Sequence, residues 1–390
     1  MKKILFIHPH APIFGVPSCG AINRSRAFLE ALTQVGHVDV VLFHPGEKSD
    51  IPNCGVIYAD YPNFGSIDSY GRIEKFFRLF APWNANNIFP LNKSIENFLD
   101  GFITKGDYDY IAVRYLYLAA EYGLLKYTDR LILDVDDNPR NTLLIRAKNT
   151  RTKLRSIYYQ LASVSAIFMS RIALKKLHCS FYSNKEQCPA SCSTFLHNVS
   201  MLTTILPPVS EATPLNVTVI SRWAYYPNKH GLMRFLKKIW PHVLQKEPKA
   251  ILRVVGGEMD EELKEICMQS KNVVVVGFAD DLMQEYLNAR CVIIPIYHGS
   301  GSCVKTIETM QVNRPFVSTP CGVRGLDKDL EPGRDYLLAT DDTMFAESVV
   351  KLLQQPEYGA TLASNALRVA HDKYSIERFN QIVKDTICKQ

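Results

Sequence analysis

The sequence predicts an α/β protein of two tandem Rossmann-like domains with a ligand cleft between them. Three observations carry that expectation. Short apolar, β-branched runs alternate with longer helical stretches, as in parallel sheets covered by helices. The alternation stops over residues 199–216, which hold Pro207, Pro208 and Pro214, and then restarts. A chain of 390 residues is also long enough for two cores of ordinary size.

In the first half the apolar runs place strands at 3–8, 38–43, 56–59, 110–114, 131–135 and 194–197. Helices are expected over 21–35, 69–80, 93–104 and 116–126. After the proline stretch, strands are expected at 217–220, 251–255, 273–276, 291–294 and 315–318. Helices fall between them, over 229–245, 260–269, 282–289 and 304–311, and helical sequence runs from 342 to about 389. The expected domains are 1–205 and 216–374, with 375–390 a helix packing back on the first. Strand C-terminal ends would line the cleft.

The net charge of +6 is concentrated in the first half. Residues 1–210 hold 23 Lys and Arg against 17 Asp and Glu, whereas 211–390 balance at 22 and 22. Residues 138–185 carry ten basic side chains and no acidic one, a local field that favours an anionic partner or membrane surface. Across 140–178 those charges mix with Leu154, Ile157, Tyr158 and Phe168. Either a membrane-surface helix or core-covering helices with a basic face would produce this pattern. No recognition motif or aromatic platform accompanies the charge, so nucleic acid is not an expected partner. The ten cysteines are scattered and follow no secretory signal. No apolar run reaches eighteen residues, so a cytoplasmic setting, at most against the inner face of a membrane, is expected. Cys179, Cys188 and Cys192, with His178 and His197, fit no common zinc spacing, and no metal site is expected.

The most informative stretch is 292–326, VIIPIYHGSGSCVKTIETMQVNRPFVSTPCGVRGL. A buried strand leads into a glycine-rich turn, and a helix then starts near Ser302. The turn lets backbone approach a ligand, and the first free N–H groups of the helix suit phosphate oxygens. Lys305 lies one turn in, and Glu308 follows at i+3 on the same side. A nucleoside diphosphate needs such a set: donors and a cation for phosphate, a carboxylate for ribose hydroxyls. The alternative is a solvated Lys–Glu pair on a helix face. A P-loop is excluded, because Val304 stands where the glycine before its lysine belongs.

This segment resembles the C-terminal signature of group-1 glycosyltransferases, the large retaining GT-B family. It is closest to a bacterial polysaccharide-type subgroup reading G-S-G-T-R-L-K-x-x-E-A-M, then P-x-V-S-T and G-x-x-G-L. Matches fall at Gly299, Ser300, Gly301, Lys305, Glu308, Met310, Pro315, Val317, Ser318, Thr319, Gly322, Gly325 and Leu326. Tyr226-Pro227-Asn228, Val255-Gly256-Gly257 and Val276-Gly277-Phe278 match further segments in order. The resemblance is strong over 217–380 and weaker before it. It implies that Lys305 contacts the donor diphosphate and that Glu308 accepts from the nucleotide ribose. It also implies that Gly299, Ser300, Gly301 and Ser302 give backbone contacts, and that Arg222 is a second phosphate contact. Gly256 sits at a matching strand end on the donor side. Lys229 either replaces a lysine that many members carry a few residues later or is a solvated first-turn residue. Many members have a Glu where this chain has Ser300, so the donor sugar is not implied.

Near the N-terminus no G-x-G-x-x-G follows the first strand, which speaks against a dehydrogenase. Gly20 fits the family's loop glycine near the donor phosphates, and Arg24 follows it. His8 is placed at the expected cleft. Val113-Arg-Tyr and Leu133-Asp-Val-Asp-Asp resemble family segments at strand ends. Arg114, Asp134, Asp136 and Asp137 would position an acceptor hydroxyl or form a structural ion network.

The resemblance thus implies an enzyme that transfers a sugar, with retention, from a nucleotide-sugar donor to a glycan or lipid-linked acceptor in bacterial surface glycan assembly. No cofactor or metal is required in that scheme, since Arg222, Lys305 and the helix N-terminus meet the charge on the leaving phosphate. A nucleotide-sugar epimerase of the same shape and a non-catalytic nucleotide-sugar-binding partner are the alternatives.

Overall fold

The computed structural model describes residues 1–8, 13, 20–43, 51–58, 91–136, 138–150, 152–185, 188, 193–298 and 304–389. The chain divides into two compact units, residues 1–197 with 379–390, and residues 198–378. Each is a parallel sheet with helices, so the α/β class and its two Rossmann-like halves are what the chain adopts.

Unit 1 contains β1 (Lys2–His8), α1 (Gly20–Thr33), β2 (Gly36–Leu42), β3 (Cys54–Tyr58), α2 (Lys93–Lys105), β4 (Tyr110–Arg114) and α3 (Leu116–Glu121). It continues through β5 (Leu131–Asp136), α4 (Pro139–Asn149), α5 (Lys153–Ala173), β6 (Cys179–Tyr182) and β7 (Thr194–Phe195). The sheet order is β3-β2-β1-β4-β5-β6-β7, with every pairing parallel. Central strands covered on both faces must be apolar throughout, and Ile4, Leu5, Phe6 and Ile7 are all fully buried. Leu99 and Ile103 of α2 pack on the same core as Ile111, Val113, Leu131 and Leu133.

Two expectations shift. The helix expected over 116–126 ends at Glu121, because Gly123 takes a left-handed φ of 69° and a 3-10 turn, Leu124–Arg130, follows. Strand β6 was not expected: four residues are too short for a period, and Ser180 breaks the apolar run. Its buried hydroxyl is satisfied by the Ser193 hydroxyl at 2.9 Å. The helix expected over 69–80 lies outside the described residues.

Unit 2 contains β8 (Asn216–Ile220), α6 (Tyr226–Arg234), a π-helical turn (Phe235–Ile239), α7 (Trp240–Lys246), β9 (Ile251–Val255), α8 (Glu261–Gln269), β10 (Val273–Gly277) and α9 (Leu282–Leu287). Then come β11 (Ala289–Ile294), α10 (Val304–Gln311), β12 (Phe316–Ser318), β13 (Leu337–Leu338), α11 (Asp342–Gln354) and α12 (Pro356–Tyr374). The parallel order β10-β9-β8-β11-β12-β13 repeats that of unit 1 with one strand fewer. The helix expected over 229–245 starts earlier, with Pro227 in its first turn, and is broken by the π turn. Pro241 has no N–H to give the preceding turn, which widens there.

The proline-rich stretch packs on unit 2. Arg314 Nη1 donates to the Pro207 carbonyl at 2.8 Å, and Asn313 Nδ2 donates to that of Leu206 at 3.0 Å. The final helix, α13 (Ile376–Cys388), buries Phe379, Val383 and Ile387. Residues 379–390 belong to unit 1, where the Phe379 ring meets the His197 ring edge-on. No described helix is long and apolar enough to cross a membrane.

Candidate functional site

In unit 2 the sheet order reverses between β8 and β11, which leaves a crevice beyond their carboxyl ends. Sequence-distant segments meet there. The β8 end continues to Arg222, α6 starts with a buried Asn228, and α10 carries Lys305 and Glu308. Lys305 Nζ donates to Asn228 Oδ1 at 2.7 Å, and Asn228 Nδ2 donates to the Arg222 carbonyl at 2.8 Å. Gly231 lets α6 lie against the β11 end, where a Cβ would come within 1.9 Å of the Pro295 carbonyl oxygen.

Glu308 sits one turn on from Lys305. Burial pushes its carboxyl pKa from the usual 4.5 to about 7, although the nearby Lys305 ammonium pulls it down. Among the described residues its carboxylate has no ion pair or hydrogen bond. Because its pKa is raised on folding, the native state is penalised as pH climbs from 4.5 to 7. Glu308→Gln should therefore match wild type near pH 4 and exceed it by ~2 kcal/mol near pH 8, the half-buried position being partly screened by solvent. Urea unfolding across that range reads the difference, and parallel curves would refute it.

The other donor-side candidates separate into kinds. Arg222 is exposed, and its Nε donates to both Glu258 carboxylate oxygens at 2.9 and 2.8 Å, a solvated pair of small worth. Lys229, with 19% of its side chain exposed, places Nζ 2.5 Å from both Asp260 and Glu262. Gly256 has a φ of 122°, and a Cβ there would lie 1.7 Å from the Ser221 carbonyl oxygen. Gly256→Ala should cost about 3 kcal/mol, read as a lowered urea midpoint, whatever ligand binds. Gly299, Ser300, Gly301 and Ser302 lie outside the described residues.

Three residues at this crevice were not singled out as site candidates from sequence. Asn228 was read only as part of a helix-opening motif, since nothing local shows that it meets Lys305. The His230 and His298 rings pack 4.5 Å apart, with Tyr226 stacked on His298 at 5.7 Å. Burial, His298 and Arg234 lower the pKa of His230, which favours a neutral imidazole. Isolated histidines give no sequence signal for such a pairing.

The corresponding point of unit 1, between β1 and β4, is filled by charge. Asp134 accepts from Arg24 Nη2 at 2.7 Å and Nε at 2.9 Å, and from Arg114 Nε at 2.8 Å. Arg114 also donates to Asp136 at 2.7 Å and to the Ser25 hydroxyl at 2.7 Å, and Ser25 lies 3.0 Å from His8 Nε2. Arg24 reaches the Leu196 and His197 carbonyls. Burial opposes charge on all three groups. The two guanidiniums nevertheless hold Asp134 below the usual carboxylate range, and the carboxylates hold Arg24 and Arg114 above theirs. Both arginines are 1% exposed. His8, Arg24, Arg114 and Asp136 thus meet in one hydrogen-bonded network around Asp134 and Ser25. Asp136 is the more open carboxylate, with 21% of its side chain exposed. Asp137 lies outside the described residues, and Gly20 opens α1 on the surface. Among the described residues no three His, Cys, Asp or Glu side chains are grouped to hold a metal.

Residues 214–355 match the family model for glycosyl transferases group 1. The match lies within unit 2 and covers less than half of the chain. Solved structures of low identity share the fold of the whole chain. HepE of Anabaena, solved with UDP and glucose, is 15% identical with a TM-score of 0.67 and full coverage of both chains. Sucrose-phosphate synthase of Thermosynechococcus elongatus is 16% identical with a TM-score of 0.69, over 98% of this chain and 97% of that one. WaaG, a glycosyltransferase involved in lipopolysaccharide biosynthesis, is 13% identical with a TM-score of 0.62, over 99% and 100%. The two parallel sheets are thus those of the GT-B fold. An uncharacterized 44.6 kDa protein in the cps region of Klebsiella pneumoniae is 25% identical over 178 residues, 44% of this chain. The match spans 45% of that protein's length. The glycosyltransferase match thus includes Arg222, Asn228, Lys305 and Glu308.

Proposed function

We propose that this protein transfers a sugar from a nucleoside-diphosphate sugar to a hydroxyl acceptor, with retained anomeric configuration, in the assembly of a bacterial surface polysaccharide. The observation that carries the reading is the meeting of Lys305 with Asn228 beyond the β8 and β11 ends, with half-buried Glu308, whose carboxylate has no partner among the described residues, one turn on. A cation and a carboxylate spaced in this way suit a diphosphate and a ribose. HepE was solved with UDP-glucose, and the cps-region relative supports the polysaccharide setting.

In this mechanism the bond between the anomeric carbon and the diphosphate breaks while the acceptor oxygen bonds to the same face and gives its proton to the departing diphosphate oxygen. The leaving diphosphate gathers negative charge. Lys305 meets it, and Arg222 exchanges its exposed Glu258 partner for phosphate oxygens. Both are in place before the bond breaks, so the stabilisation needs little rearrangement and no metal. Ionised Glu308 accepts the ribose hydroxyl protons. Donor affinity should therefore rise with pH through about 7.

Calorimetric titration with UDP, GDP, ADP and CMP tests the reading. One diphosphate should bind, and Glu308→Gln should weaken it and flatten its pH dependence. If none of the four bound, the enzyme assignment would fall while the fold stood.

A further inference from the structure

We infer that the outer face of α5 is a docking surface for an anionic lipid bilayer. Leu154, Ile157, Leu161, Val164 and Phe168 recur at alternating spacings of three and four residues. They are 83%, 53%, 43%, 52% and 48% exposed. They form one stripe about 21 Å long on a single side of the helix. The side of α5 turned to the core is built differently: Ala162, Ser163, Ser165 and Ala166 are buried there, and Tyr158 and Tyr159 pack against the unit 1 core. Five large apolar side chains therefore face out, which a helix built only to cover its own sheet does not need.

The charge around the stripe selects the occupant. Residues 138–185 contain ten Lys and Arg and no Asp or Glu. Arg140, Arg146, Lys148, Lys153, Arg155 and Lys175 are exposed, and none has an ion-pair partner among the described residues. A second copy of α5 laid along the stripe would bring two uncompensated cationic surfaces together, with no acidic residue to pair across the seam. A bilayer rich in anionic headgroups offers negative charge at the surface and apolar chains just beneath it. A straight helix can lie flat on that surface with its stripe below the headgroups and its lysines and arginines among them. The inference goes beyond the donor-site reading and does not depend on it, because no residue of the β8–β11 crevice takes part.

Co-sedimentation of the full chain with extruded vesicles tests it. The protein should pellet with mixed phosphatidylglycerol and phosphatidylethanolamine vesicles, stay in solution with pure phosphatidylcholine, and be released by high salt. Leu154→Ser with Val164→Ser, and separately Lys148→Gln with Lys153→Gln and Arg155→Gln, should each weaken binding by about tenfold or more. All five positions are exposed, so melting temperature and nucleotide binding should not change. Phe168→Ser alone supplies a second apolar probe. Equal binding to phosphatidylcholine, or undiminished binding by the variants, would overturn the inference. So would a wild-type dimer that the serine variants split, which would assign the stripe to a second copy of the chain.

Discussion

Asp134→Ala should leave unit 1 unable to hold its fold at room temperature. The carboxylate is wholly buried and accepts hydrogen bonds from two guanidiniums that are themselves buried. Removing it leaves two positive charges close together, both beside the partly exposed Asp136. Breaking a buried pair by deleting one partner typically costs about 3–5 kcal/mol, and here one deletion strands two cations. That is a large share of the ~5–15 kcal/mol that holds an ordinary domain. Asp134→Asn keeps an acceptor but not the charge, and should fall between wild type and alanine. Because Arg24 and Arg114 hold the Asp134 pKa down, its contribution is fully present at neutral pH. It is lost as pH falls through that depressed value. Limited proteolysis with thermal melting would show the effect. A variant melting within about 2 °C of wild type would mean that the network adds nothing to stability.

Lys305→Ala should leave the fold intact and remove the function. Its ammonium pulls the Glu308 pKa down and donates to Asn228 at 2.7 Å. A charge-assisted contact to phosphate is worth ~1.5–3 kcal/mol, so affinity for the cognate diphosphate should fall by about ten- to a hundredfold. Turnover should fall further, by about 10²–10³, because charge on the leaving group is greatest in the transition state. Lys305→Arg should restore part of the affinity. The loss of Lys305 should also raise the Glu308 pKa above 7, moving any remaining pH dependence upward. Unchanged affinity and turnover would remove the phosphate contact from the mechanism.

The fold was legible where apolar runs are long enough to show a strand or a helical face. Tyr110–Arg114, Ile251–Val255 and the helix Val304–Gln311 fall where their residues predict. It was illegible where elements are too short to show a period, as in Cys179–Tyr182 and Leu337–Leu338. It also failed where one residue changes the geometry, as Gly123 and Pro241 do. The site divided in a similar way. Lys305 and Glu308 share one helix, and their i+3 spacing made them readable together. Asn228 acts through a contact 77 residues away, and local sequence cannot show such a contact. Arg114 and Asp136 were read with two alternatives because chain order says nothing about depth. In the fold they meet Arg24 and Asp134 in one ion network.

Unit 1 is discontinuous in the chain, and this bears on how the protein is made. Arg24 leaves the ribosome long before the carbonyls it bonds, Leu196 and His197. Phe379, whose ring lies 5.8 Å from the Arg24 guanidinium, follows only after all of unit 2. Unit 2 lies wholly between them, so its compact core can form during synthesis while unit 1 still lacks its closing helix. A nascent chain would then carry a folded second half beside an unfinished first half. The late arrival of α13, rather than the early strands, would set the moment at which the buried arginines are sealed from water.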